Sequence, residues 1–437
     1  MRHKSSLTSH LESDIIKQIR SQDGISRVEL GRALHLAAST AGTYAERLIR
    51  LGYIVEQEKA VRGSGRPPVL LRLNPEGGAF IGVEFEARTI RAVAVDFADR
   101  PQRNAFRPVD EDEDAAAVMR KIEEAVDEVM PPVRSTLLAI GVGVPGIIDP
   151  VHGVSLSYKY IVNWRNVAVR DRLAKRFGVP IFLESNIRAM ALAESWFGQG
   201  RGRRNFICVG VRSGIGLGMV LDGRLYRGEH FNAGLIGRWG CALAPEIAGW
   251  FATSGKNDGA FELQEVASAR SIPRAIRKAI DLGEASLLAK VRGPIPLADV
   301  MDAARQRDAV TLRVLNVAAA ALGQAIGRLA LVADTSLIIM AGPLTQLGDI
   351  FLQPLRGEVN RTFGDTGLGA VQVVNSTIGD FCGALGAAAL ALEEWKPKHE
   401  ALGTTMRTSA SGRAKRRGAA ARPANVGGGG LAYTSKS

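Results

Sequence analysis

The spacing of apolar residues changes once along this chain, at Asn74-Pro75-Glu76-Gly77-Gly78, and that change separates two differently built parts. Before it, three short segments carry apolar residues at helical spacing. Ser9-x-x-Glu12 has the form of a capping box ahead of Leu11, Ile15, Ile16 and Ile19, and Asp23-Gly24 ends that segment. Ser26-x-x-Glu29 is a second box, opening a helix with Val28, Leu30, Ala33 and Leu34 that ends near Leu36. The spacing predicts a third helix over 39–51, with Ala41, Ala45, Leu48 and Ile49 facing inward and Gly52 as its stop. Tyr53-Ile54-Val55 and Val69–Leu73 read as strands on either side of a glycine-bearing tip at 62–67. Three helices and a hairpin describe a winged helix-turn-helix over residues 1–74.

Residues 75–79 read as a linker, and strands then alternate with helices. Hairpin strands are predicted at 80–86 and 91–97, a helix at 113–130 and a buried strand at Leu137–Val144. A strand at 179–184 leads into a helix at Asn186–Phe197, and strands at Phe206–Val211 and 217–221 flank a glycine turn. A long Ala-rich helix at 310–332, a strand at 337–340 and a helix at 380–393 follow. This alternation means a layered α/β domain in two lobes over 80–395. Residues 396–437 are basic and Gly-rich, the composition of a disordered tail.

Charge follows the same division. The net charge of +12 splits into +5 over residues 1–75, +8 over 396–437 and −1 between them. Basic ends around a neutral body suit terminal contacts with a polyanion rather than a basic catalytic cleft. In a helix-turn-helix the second helix presents its N-terminal face to base edges, so the DNA-facing residues expected here are Ser39, Thr40, Thr43 and Arg47. Arg62 and Arg66, flanking the glycine tip, are expected to enter a minor groove. Double-stranded DNA is therefore the expected partner. Cys208, Cys241 and Cys382 stand far apart, which points to reduced thiols rather than a disulfide frame. The N-terminus lacks the apolar core of a secretory signal, and no uninterrupted apolar run reaches a membrane span, so the expected location is the cytoplasm, on the nucleoid.

Several motifs resemble the ROK family (repressors, open reading frames and kinases). They are Gly24-Ile25-Ser26-Arg27-Val28-Glu29-Leu30, Gly65-Arg66-Pro67-Pro68-Val69-Leu70, the run Gly141 to Pro150 (GVGVPGIIDP), Ala191 to Gly198, Gly214-Ile215-Gly216-Leu217-Gly218, and Asp222 to Gly228. The resemblance implies an actin/hexokinase-like (ribonuclease H-like) two-lobed domain, and a homodimer or homotetramer. It also implies a cleft where kinase members bind sugar and ATP.

Measured against that pattern, the chain departs at each chemical position. The acidic-Gly-Gly-Thr phosphate turn reads Glu84-Phe85-Glu86-Ala87-Arg88-Thr89, and the catalytic Asp position holds Asn186 in Glu184-Ser185-Asn186-Ile187-Arg188. The family's sugar-binding Glu and its His are Leu235 and Arg238. Of the zinc cysteines only Cys241 is present, Tyr160 replaces an Asn, and the nucleotide-side Gly-Gly reads Ala341-Gly342-Pro343. No catalytic residue, metal or cofactor is therefore expected. Asn163, Glu184, Ser185, Asn186 and Arg238 remain as candidate contacts for a small-molecule effector, a sugar derivative or an anionic metabolite. The expected function is a DNA-binding transcriptional regulator, a repressor, with a pseudokinase-like effector and dimerisation domain. The alternatives are a ROK-type sugar kinase with an N-terminal extension, and an actin-like interaction scaffold.

Overall fold

A computed structural model describes residues 2–22, 24–58, 69–133, 136–252, 260–363 and 370–397, all within one unit. Arg62, Arg66 and the tail from Lys398 onward lie outside the described residues.

The N-terminal part has helices α1 (Arg2–Ser21), α2 (Arg27–Ala33) and α3 (Ala38–Arg50), then strands β1 (Ile54–Glu58) and β2 (Val69–Leu73) paired antiparallel. The Ser26 box forms as written: Ser26 Oγ accepts from Glu29 N at 3.2 Å, and the Glu29 carboxylate accepts from Ser26 N at 2.9 Å. Ala41, Ala45 and Leu48 of α3 are fully buried, beside Ile15, Ile19 and Leu30. One prediction fails. The first helix starts at Arg2, so Ser9-x-x-Glu12 lies inside it. Nothing in the preceding residues, which lack Gly and Pro, stops the helix from extending backward. Glu12 is buried and forms an ion pair instead of a cap.

Two lobes follow, and their five-stranded sheets share one topology. In the small lobe the order is Ile181–Ser185, Leu137–Val144, Ala79–Phe85, Thr89–Asp96, Pro101–Pro108. In the large lobe it is Gln372–Asn375, Leu337–Ala341, Phe206–Val211, Ile215–Leu221, Arg224–Tyr226. In each, the first three strands are parallel and the last three form an antiparallel meander. Sequence pattern missed the edge strand Pro101–Pro108, where Ala105 alone is buried and no alternation marks an inner face.

Each sheet ends by launching a helix between the lobes: Asn186–Phe197 after one, Cys382–Glu394 after the other. The first lies on the large-lobe sheet, where a Cβ on Gly218 would come 2.6 Å from the Ala191 Cβ. The second lies on the small-lobe sheet, where a Cβ on Gly141 would come 1.7 Å from the Ala387 oxygen. The helices also meet each other, and a Cβ on Gly386 would fall 1.6 Å from the Ala189 oxygen. The alanines of the first helix and the Gly- and Ala-rich sequence of the second are thus a condition of this crossing. Helix Ala309–Ala333 is long and apolar enough to cross a membrane, yet 56% of its most apolar stretch is buried here, with Leu315, Leu322 and Ile326 in the large-lobe core.

Residues 75–79 do not act as a slack linker. Asn74 Nδ2 donates to Gly52 O at 2.7 Å, Pro75–Gly77 forms a helical turn, and Ala79 already belongs to the sheet. Tyr53 stacks on Phe97 at 5.1 Å and meets Trp395 edge-on at 5.1 Å, so the N-terminal part shares an aromatic core with the small lobe.

Candidate ligand cleft and nucleic-acid interface

Parallel strands bring their C-terminal ends to one edge, and loops there line a crevice. Glu86 follows Ala79–Phe85, Pro145 and Gly146 follow Leu137–Val144, and Ser185 and Asn186 stand at the end of Ile181–Ser185. From the large lobe, the turn Arg212-Ser213-Gly214 faces them. Together with Tyr158, Lys159, Arg188, Asn232, Arg238 and Gln264, these residues border a cavity of about 340 Å³. That size suits a small metabolite.

Of the five candidate effector contacts, Ser185, Asn186 and Arg238 line this cavity. Glu184 does not, because it is fully buried and already satisfied. Its carboxylate accepts from Arg188 Nε and Arg227 Nε, both at 2.6 Å, and from Ser185 N at 2.8 Å. Arg188 in turn donates to the backbone oxygens of Phe231 at 2.8 Å and Ala233 at 3.3 Å. Glu184 therefore positions the loop that walls the cavity. Asn163 is exposed, has φ +58°, and stands outside the lining.

Charge pairs cross the floor of the cleft. Arg212 reaches Glu84 at 2.5 Å and Glu86 at 3.1 Å, joining the large lobe to the small one. Asn186 Nδ2 points at Glu86 Oε1 from 3.5 Å, and Tyr158 OH accepts from Ala87 N at 3.2 Å. Burial pushes the Glu86 carboxyl up to about 7, against the pull of Arg212 and with a further push from Glu84. Beyond this wall lies a second cavity of about 270 Å³, lined by Thr89, Gly342, Thr345, Ser376 and Gly383. Glu86 and Arg212 border both, so a side-chain bridge divides the cleft in two. Arg212, Tyr158 and Lys159 were missed by sequence reasoning. The Arg–Glu complementarity was written in the chain, but their pairing spans 128 positions.

At the mouth, Arg238 and Lys159 are exposed, and Lys159 sits over the Tyr160 ring at 5.1 Å. Neither has an ion pair among the described residues. The residues do not fit a structural zinc. Cys241 is a single thiol, pushed up to about 11 by burial and the nearby Glu265, and no metal-holding group of His, Cys, Asp and Glu occurs among the described residues.

On α3, Ser39 and Thr43 are exposed and Thr40 is half-buried. Thr43 Oγ1 donates to Ser39 O at 2.9 Å. Arg47 turns away from that face: its Nε lies 3.0 Å from the buried Glu12 carboxylate. The exposed stripe is Ser39, Thr43, Glu46 and Arg50, and strict 3.6-residue spacing would have selected Arg50 instead of Arg47.

Comparison with known proteins agrees with this architecture. The xylose repressor of Caldicellulosiruptor bescii is 25% identical over 352 residues, covering 79% of this chain and 86% of that protein. The glucokinase of Thermotoga maritima is 32% identical over 279 residues, covering 63% of this chain and 85% of that protein. The crystal structure of a ROK family transcriptional regulator, a homolog of the E. coli MLC protein, superposes with a TM-score of 0.73 at 23% identity, covering 89% of this chain and 97% of that one. The ROK family profile matches residues 80–394. With two lobes of one topology around a shared cleft, and this match over most of its length, the chain belongs to the ROK family.

Proposed function

We propose that this protein is a DNA-binding transcriptional repressor whose ROK domain senses a small molecule without phosphorylating it. One observation carries the reading: similarity to the xylose repressor extends over 352 residues, more than the family stretch 80–394 contains, whereas similarity to the glucokinase covers 279. The additional matched length supports a head shared with repressors. Residues 1–74 then form a winged helix-turn-helix, with Ser39, Thr40, Thr43 and Arg50 of α3 toward the major groove. A symmetric dimer would set two such helices about 34 Å apart, one DNA turn.

The cleft supports sensing better than catalysis. Asn186 offers an amide, with no basicity for taking a hydroxyl proton. The Glu86–Arg212 bridge occupies the passage that a sugar and a nucleotide would have to share. Lys159 and Arg238 at the mouth favour an effector that carries a carboxylate or phosphate. Such an effector acts only through a difference in affinity between DNA-competent and incompetent states.

Selection of bound genomic fragments, repeated with neutral sugars, sugar acids and sugar phosphates, tests the reading. The expected result is a two-fold symmetric motif released by an anionic compound, with release weakened at least tenfold in Arg238→Ala. ATP-dependent phosphorylation of a sugar, abolished by Asn186→Ala, would establish the kinase alternative.

A further inference from the structure

The cavity and the surface that docks the head lie at opposite ends of the same helices. Helix Asn186–Phe197 begins in the cavity wall, with Asn186 and Arg188 in the lining, and ends at Trp196 and Phe197. Twelve residues make it about 18 Å long. Helix Cys382–Glu394 begins in the wall of the second cavity, at Cys382 and Gly383, and ends beside Trp395. Trp196 Nε1 donates to Glu393 Oε1 at 2.8 Å, tying the two far ends together.

Arg20, in the last turn of α1, is seated there. Its guanidinium donates to Asp99 Oδ1 at 2.9 Å and to Phe97 O at 3.1 Å. It also lies over two rings, 5.6 Å from the Phe97 centroid and 5.3 Å from that of Trp196. The side chain is only 7% exposed. Its two walls belong to different elements. Phe97 and Asp99 stand in the turn between two small-lobe strands, whereas Trp196 ends the helix that packs on the large-lobe sheet. A change in the angle between the lobes therefore moves one wall of this seat relative to the other. Helix Asn186–Phe197 has little freedom to absorb that change internally, because Gly218 and Gly386 hold its neighbours at backbone distance.

We propose that Arg20, held between Phe97 and Trp196, is the joint through which the cleft and the DNA-binding head sense each other. This rests on the reading of head and cavity given above. Closing or opening the cleft loosens or tightens the seat of α1 and so sets the attitude of α3, which α1 supports through the Glu12–Arg47 pair. Because coupling is reciprocal, disturbing Arg20 must be felt in the cavity.

Amide hydrogen exchange of the full chain tests this without any effector. Arg20→Ala is expected to speed exchange at least tenfold in residues 186–190 and 227–238 as well as in the head, with Arg20→Lys intermediate. Arg27→Ala, which breaks surface pairs to Glu46 and Glu56 on the head, is the control and should act on the head alone. If Arg20→Ala changes exchange only in residues 11–25 and 96–100, the joint does not exist. Should that variant fail to fold, Trp196→Phe, which keeps a ring but loses the bond to Glu393, must give the same two-region response, and a response confined to 193–200 overturns the proposal. A metabolite panel that finds no effector would defeat the sensing role and leave the joint standing. An effector response that survives in Arg20→Ala would defeat the joint and leave sensing intact.

Discussion

Arg212 Nε lies 3.1 Å from Glu86 Oε1, and this pair closes the floor of the cleft between the lobes. Both residues stand in turns where ligand-facing loops converge, and their side chains border both cavities. Arg212 holds two carboxylates at once, so the floor is a filled ionic network, whereas Lys159 and Arg238 at the mouth have no ion pair among the described residues.

The first prediction concerns pH. Burial raises the folded-state Glu86 carboxyl from 4.5 to about 7, so its stabilising contribution is full below pH 4.5 and is lost as pH rises through 7. Glu86→Gln, which mimics the protonated form, should be more stable than the native protein at pH 8. The gain should be on the order of 3 kcal/mol, since each tenfold change in a protonation equilibrium is worth about 1.4 kcal/mol. The difference should vanish near pH 4.5. Thermal unfolding across that range measures it, and a constant difference would refute the assignment.

Arg47 and Arg50 should separate folding from recognition. Arg47→Ala leaves Glu12 buried without its cation, a loss of about 3 kcal/mol, so weakened DNA binding would come with a lowered unfolding temperature. Arg50→Ala is exposed and should weaken DNA retention, flatten its salt dependence and leave unfolding unchanged. Equal unfolding temperatures for the native protein and Arg47→Ala would show that the Glu12 pair is not structural.

The Ser26 cap gives a smaller effect. Ser26→Ala removes the acceptor for Glu29 N and should cost about 1 kcal/mol, while Ser26→Gly should cost only a few tenths. Denaturant midpoints of the two variants are the measurement.

Gly386→Ala should be severe. The added methyl would stand 1.6 Å from the Ala189 oxygen, so the crossing helices must part. A loss above about 3 kcal/mol is expected, at the upper end of overpacking costs. Gly249→Ala, with open space around it, should change stability by less than about 0.5 kcal/mol. Comparable stabilities would mean that the two helices are not in backbone contact.

Local rules carried much of the fold. The Ser26-x-x-Glu29 box and the apolar spacing of Ala41, Ala45 and Leu48 gave α2 and α3 because capping and helix amphipathicity act within a few residues. The glycine-rich turns and buried strands of the ROK motifs likewise imply two lobes, since runs such as Leu137–Val144 have no polar face to leave in water. The site was legible only in part: Ser185, Asn186 and Arg238 reach the cavity, whereas Asn163 does not.

Tertiary structure alone decided what the charged residues do. Glu12 looks like a capping residue and Arg47 like a DNA contact, yet each is the other's partner. Glu184 looks like a ligand contact, yet burial commits it to Arg188 and Arg227. A long charged side chain can satisfy itself with water, DNA, a ligand or a distant residue, and neighbours in sequence do not distinguish among these. The choice depends on which partner is near when solvent is excluded, and that is set by how the lobes and the head pack. The sequence by itself determined the elements and the family; packing determined which charges face solvent at the cleft mouth and on α3.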